Sequence, residues 1–147
     1  MSEISKVELH FIQKKSLKNI PSINTSAGIF KLLHGIYDRK KIDHSEFFYA
    51  IYVNRKGQPI GEILLSFGGQ HQTIVDIRAL MQGALLANAA QIIITHNHTT
   101  DNVDPSDEDI KVTKKINQAC AMFGINLMDH IIYSPEKYFS FTDDGII

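Results

Sequence analysis

The stretch Ile92-Ile93-Ile94-Thr95-His96-Asn97-His98 constrains this chain most. Three consecutive β-branched apolar residues read as a buried strand, and that strand runs straight into two histidines with one residue between them. Side chains at i and i+2 of an extended backbone point to the same side. His96 and His98 therefore aim both imidazoles at one point, and Asn97 faces away. Two converging imidazoles begin a site for a divalent transition metal, zinc in particular. A helix predicted over residues 74–88, with Ile77, Leu80, Met81, Ala84 and Leu85 as its apolar stripe, precedes the strand and can cover it, which is an α/β arrangement.

A metal needs further ligands, and the oxygen donor is sought downstream. Thr99 to Val103 is polar and loop-like. Asp104-Pro105-Ser106-Asp107 reads as a helix start, with Asp104 as N-cap and Pro105 as first helical residue. Ile110, Ile116, Ala119, Cys120 and Phe123 then give a helical apolar stripe. Ser106 and Asp109, three apart, share a face of the first turns. If the loop folds back, His96, His98 and Asp109 form a three-ligand set with a fourth position for water, the arrangement of a catalytic zinc.

His-x-His, ten intervening residues, then Asp, with Ser three before it, resembles the JAMM (MPN+) metallopeptidase signature. Leu86-Ala87-Asn88-Ala89-Ala90, the isoleucine run, Pro105-Ser106 and Leu127-Met128-Asp129-His130-Ile131-Ile132 narrow the resemblance to the JAB-type domain of RadC-family proteins. It covers roughly Phe47 to the C-terminus and departs from the family at Thr99, where a proline normally follows the second histidine. The resemblance implies a mixed central β-sheet flanked by helices, of JAMM/cytidine-deaminase-like architecture, with Zn2+ as cofactor. It also implies hydrolysis of a peptide or isopeptide bond by a metal-activated water. A glutamate on an earlier strand serves as general base in that family. Glu62 is the first candidate for it and Glu46 the reserve, while Ser106 would stabilise the carbonyl oxygen. RadC-family proteins commonly carry a helix-hairpin-helix DNA-binding element ahead of this domain. Residues 1–45 are too poor in glycine for one, so a DNA-repair role is not carried over. A non-catalytic metal-binding interaction module and a DNA-associated RadC-like protein stand as the alternatives.

With 147 residues the chain can bury one domain's core. The expected division is a strand-and-helix extension over 1–45, packed on a RadC-type JAB domain over 46–147. A hydrophobic fraction of 44% against 21% charged residues fits a soluble domain. The net charge of −1 offers no electrostatic basis for strong nucleic-acid binding. No stretch suits a secretion signal or a membrane span, so a cytoplasmic location is the default. The lone Cys120, on an apolar stripe, reads as a buried thiol.

In chain order, residues 7–12 read as a strand carrying His10, and Lys14 to Lys18 as a solvated basic patch. Asn24-Thr25-Ser26 leads into a helix over 27–37, followed by the charged linker Asp38–Lys41. Residues 47–53 and 59–67 form a hairpin around Asn54-Arg55-Lys56-Gly57-Gln58. The second of these strands is apolar on both faces, which suggests burial on both sides. Glu62 is its one carboxylate. Gly68-Gly69 makes a turn, and His71 lies in the loop after it, a histidine outside the ligand pattern. Gly124 ends the Asp109 helix, and strands follow over 125–133 and 138–141. Asp129 and His130 read as a hydrogen-bonded structural pair. Exposed strands at the edges of a small sheet leave pairing with a second copy open.

Overall fold

A computed structural model describes residues 4–8, 17–68 and 74–147. After a short 3-10 turn at Leu17–Asn19 come α1 (Ser26–Leu33), β1 (Glu46–Val53), β2 (Pro59–Gly68), α2 (Ile77–Leu86), β3 (Gln91–Asn97), α3 (Asp107–Met122), β4 (Asn126–Tyr133) and β5 (Tyr138–Ser140). The sheet order is β2-β1-β3-β4-β5. The β3–β4 pair is parallel and the other pairs are antiparallel, the mixed sheet of the expected α/β class.

The isoleucine strand β3 occupies the middle. Ile92, Ile93 and Ile94 are all fully buried, because both faces of the sheet are covered. On one face, Leu80, Met81 and Ala84 of α2 and Ile116 and Cys120 of α3 pack over Ala50, Tyr52, Ile92 and Ile94. On the other, Ile29 and Leu33 of α1, with Tyr37 and Ile42, pack over Ile51, Ile93 and Ile131. The segment before β1 thus shares a core with the sheet. Cys120 is buried in the first cluster, and burial pushes its thiol up to about 11, so it is inert as read.

Several boundaries move for local reasons. Thr25 caps α1 by accepting the Gly28 N–H, but the helix stops at Leu33, and hydrogen-bonded turns through Gly35 carry the chain on to Tyr37. α2 begins after Asp76, whose side chain caps Ala79 N, and not at Ile74. Gly57 in the hairpin and Gly124 after α3 both take positive φ. The expected two-sided burial of β2 is corrected: β2 is an edge strand bonded only to β1, and Glu62, Leu64 and Phe67 are exposed. No β2 residue joins the second core cluster. The sequence-derived strand over 7–12 lies largely outside the described residues, His10 included, as do Lys14 and Lys15. Val7 and Glu8 are not in a strand. No helix among the described residues is long and apolar enough to cross a membrane.

α2 lies directly on Tyr52, whose hydroxyl donates to the Leu80 carbonyl at 2.8 Å. Gly83 is the point of closest passage. A β-carbon there would meet the phenol oxygen and two ring carbons at 2.7 and 2.9 Å. Gly83→Ala gains about 1 kcal/mol of helix propensity but overpacks at a cost of roughly 1–3 kcal/mol. A net loss of thermal stability is expected, partly recovered in the Gly83→Ala/Tyr52→Leu double variant. Melting curves of the four proteins in that cycle check it.

Candidate metal centre

β3 delivers His96 at its end, level with Phe48 of β1 and Ile132 of β4. His96 is buried, and its ring stacks parallel to Phe48 at 5.6 Å. His98 follows just past the strand and is half-buried. The third group comes from the start of α3, where the sequence reading is corrected: the N-cap is Ser106, not Asp104, and Pro105 lies outside the helix. A capping box decides this. Ser106 Oγ accepts Asp109 N–H at 3.1 Å, and Ser106 N–H donates to Asp109 Oδ2 at 2.9 Å. Asp104 instead belongs to the loop, its N–H donating to Asn102 Oδ1. The box turns the Asp109 carboxylate back over the helix N-terminus, where the helix dipole favours negative charge.

Asp109 Oδ1 lies 3.2 Å from His96 Nε2, and Asp109 Oδ2 lies 3.2 Å from His98 Nε2. The two Nε2 atoms are 3.1 Å apart. One ligand atom from each of His96, His98 and Asp109 falls within 4.8 Å of the others, so the loop does fold back and bring the three together. His98 Nδ1 is 2.7 Å from the Asn102 carbonyl. A carbonyl only accepts, so Nδ1 carries the proton, and Nε2 of the neutral ring is a bare lone pair aimed inward. This donor set, two imidazole nitrogens and a carboxylate, fits a divalent transition metal. The loop that has Thr99 in place of proline is braced through Asn102. Besides holding His98, Asn102 donates its N–H to Thr100 Oγ1 at 3.3 Å.

The electrostatics follow the same geometry. The Asp109 hydrogen bond raises the His98 pKa against the opposing effect of burial, helped by the Asn102 carbonyl and by the charges of Asp109 and Glu46. Burial by itself would raise the Asp109 carboxyl. Hydrogen bonds from His96 and His98, the His96 charge and the Ser106 N–H together hold it well below the usual carboxylate range. Burial keeps the fully enclosed His130 well below the ordinary histidine value.

Glu62 is not at this centre. It pairs with Ile51, whose side chain belongs to the cluster on the opposite face from His96, and it is exposed. Burial first, then the charge of Glu62, raise the Tyr49 phenol on that far side. Glu46 takes the position that Glu62 does not. Phe48 pairs with His96 and Phe47 stands beside Asn97, so Glu46, two residues before Phe48, shares the His96 face and comes level with His98. Glu46, Ser106, Asp109 and both histidines line one cleft of about 930 Å³, with Val75 and Ile77 along its apolar wall. His71 lies outside the described residues.

Asn97, between the histidines, faces away as expected but does more than fill space. Its Nδ2 donates to the carbonyls of Ile42 (2.9 Å) and Ser45 (3.0 Å), and its Oδ1 accepts Phe47 N–H at 2.8 Å. It clamps the chain on both sides of Glu46, a role its identity alone did not signal. Asp129 and His130 are not a side-chain pair. The Asp129 carboxylate takes the His130 backbone N–H, the Ser140 hydroxyl and the Thr142 N–H, tying β5 to β4, whereas the His130 ring reaches His96 Nδ1 at 2.8 Å.

An α/β domain with a His-x-His strand end and an aspartate at a helix start, converging at the mouth of one cleft, defines a candidate metal centre. The family model of the RadC-like JAB domain matches residues 23–146, and the chain belongs to that family. It is similar to UPF0758 proteins from Methanosarcina acetivorans (35% identity over 112 residues, 76% of this chain and 49% of that protein) and Flavobacterium johnsoniae (31% over 147 residues, 99% and 63%). Another from Pelobacter propionicus is 30% identical over 135 residues, 92% of this chain and 58% of that one. The chain thus spans between about half and somewhat under two-thirds of these relatives.

Two outcomes are expected. Asn97→Ala strands the buried groups it satisfies and lowers stability by on the order of 1–3 kcal/mol, read by urea unfolding. Protons compete with metal for the ligand nitrogens, so apparent zinc affinity falls as pH falls. Because Asp109 raises the His98 pKa, the fall begins above the ordinary histidine value of about 6.5. Calorimetric titration across pH 5.5–8 (a window of roughly one unit or more around that value) checks the sign.

Proposed function

We propose that this domain is a zinc-dependent hydrolase that cleaves an amide bond in a peptide or protein, either a peptide or an isopeptide link. His96, His98 and Asp109 would hold the ion. A bound zinc supplies Lewis acidity, which acidifies a water and polarises a carbonyl oxygen. Glu46 takes the proton from the attacking water and returns it to the leaving amine as the C–N bond breaks and the new C–O bond forms. Ser106 Oγ already accepts the Asp109 N–H through a lone pair, so its own proton is available to the carbonyl oxygen as negative charge develops there. Asn97 keeps Glu46 in place by fixing the backbone on either side of it.

The observation that carries this reading is the single cleft in which a carboxylate from β1, three convergent metal-binding side chains and the Ser106 hydroxyl meet. A structural metal site has no use for a non-ligating acid on the strand facing it, and a hydrolase does.

The test is a peptide library incubated with the zinc-loaded protein and read by mass spectrometry. Glu46→Gln should retain zinc and lose about 10²–10⁴-fold in rate. Glu62→Gln should cleave as the wild type does, and His98→Ala should lose both metal and activity. Full activity in Glu46→Gln, or no cleavage by the zinc-loaded wild type, counts against the proposal.

A further inference from the structure

We infer that Thr113 and His130 are positioning residues that dictate which nitrogen of His96 is bare, through a one-directional chain of hydrogen bonds that runs from the His96 ring to the backbone carbonyl of Asp109. The inference rests on the metal-centre reading above.

Thr113 lies one helical turn after Asp109, and its hydroxyl is 2.5 Å from the Asp109 carbonyl oxygen. A carbonyl can only accept, so the single hydroxyl proton is used there. The same Thr113 oxygen is 2.6 Å from His130 Nδ1 and has only lone pairs to offer it. His130 Nδ1 therefore carries a proton and donates. The other ring nitrogen, Nε2, is 2.8 Å from His96 Nδ1.

The chain can also be followed from its metal end. A cation at the centre requires the lone pair of His96 Nε2. The neutral His96 ring then carries its proton on Nδ1 and donates it to His130 Nε2. Both ends thus require the same state of His130, with a proton on Nδ1 and a lone pair on Nε2. Thr113 and His130 are each fully buried, so bulk water does not substitute for either partner. Phe141 stacks on the His130 ring at 4.4 Å and 15°, and its N–H donates to the His130 carbonyl at 3.0 Å, which holds the ring in plane. The chain runs from the backbone of one ligand on α3, through β4, to the ring of another on β3. A metal-binding histidine commonly has its second nitrogen oriented by a carboxylate, a carbonyl or a water. Here an imidazole does it, and that imidazole needs Thr113 to settle its own tautomer.

Long-range proton–nitrogen correlation spectra of metal-free protein labelled with 15N-histidine test the assignment directly. Protonated Nδ1 and bare Nε2 in His130 is the expected pattern, with a proton on His96 Nδ1 whether or not its Nε2 also carries one toward Asp109. Protonation of His130 at Nε2 overturns the inference. Zinc affinity, measured by competition with a chelating dye, is the second readout. Thr113→Val and His130→Asn should each bind zinc roughly 10–100-fold more weakly. His130→Gln, whose Oε1 can replace Nε2 as the acceptor, should bind more tightly than His130→Asn, and Thr113→Ser should bind as the wild type does. Wild-type affinity in folded Thr113→Val and His130→Asn overturns it. If the His130 variants do not fold, Thr113→Val and the spectra decide. A wild-type protein that takes up no zinc removes the metal centre itself, and the nitrogen assignment in metal-free protein still decides the hydrogen-bond chain.

Discussion

The Nε2 atoms of His96 and His98 stand 3.1 Å apart, each 3.2 Å from an Asp109 oxygen, and with His96 in the tautomer inferred above two neutral rings would turn lone pairs on one another. Lone pairs at that range repel, so the arrangement is at rest only when positive charge is shared between them, from a proton or from a metal cation with the Asp109 carboxylate beside it. Each ring is held against that repulsion by its far nitrogen. The Asn102 carbonyl holds His98, and His130 holds His96. Local conflict of this sort, offset by well-satisfied surroundings, is expected at functional or strained sites.

The surroundings can offset it because the ligands grow from the best-buried element in the fold. β3 is central, with three fully buried isoleucines, so His96 leaves a backbone fixed on both edges and both faces. The alternation that points His96 into the cleft points Asn97 the other way, onto the chain around Ile42, Ser45 and Phe47. One strand end thus builds both halves of the site: it supplies two imidazoles on one side and, from the other, fixes the segment carrying Glu46. A change in the β1–β3 register would disturb the ligands and the acid together.

What could be read from the sequence divides along physical lines. The convergence of His96 and His98 follows from a period of two, and the shared face of Ser106 and Asp109 follows from a spacing of three; both are local rules. The helix cap lies two positions beyond the expected Asp104, because Asp-Pro and Ser-x-x-Asp are both plausible starts and only the hydrogen bonds choose Ser106. The sequence does not separate Glu62 from Glu46 as the acid nearer the histidines, because β2 is apolar on both faces and its pattern does not say which side looks at the site. A register shift between Phe48 and Tyr49 further separates the β1 and β2 numbering. Glu46 begins its strand, where a charged residue reads as an exposed end. His130 follows Asp129 directly, and adjacency suggests a pair, although successive side chains of a strand diverge. Thr113 is one polar residue on an amphipathic helix, and its link to a residue on β4 is a tertiary fact with no sequence periodicity.

Asp109 combines two tasks that bear on how the metal relates to folding. Its Oδ2 completes the capping box with Ser106 N–H, while both carboxylate oxygens face the histidines. A carboxylate has enough lone pairs to serve a backbone donor and a cation at once, so capping α3 and binding metal do not compete. The cap orients the carboxylate with no cation needed, and the two apolar layers that bury β3 contain none of the three candidate ligands. In small zinc modules the metal supplies the core and its removal unfolds the chain. Here the core is independent of the ligand set, and the ligands are held by hydrogen bonds of the protein's own. A cation held here would therefore meet ligands already in place, and its binding energy would not be spent on ordering the chain around it.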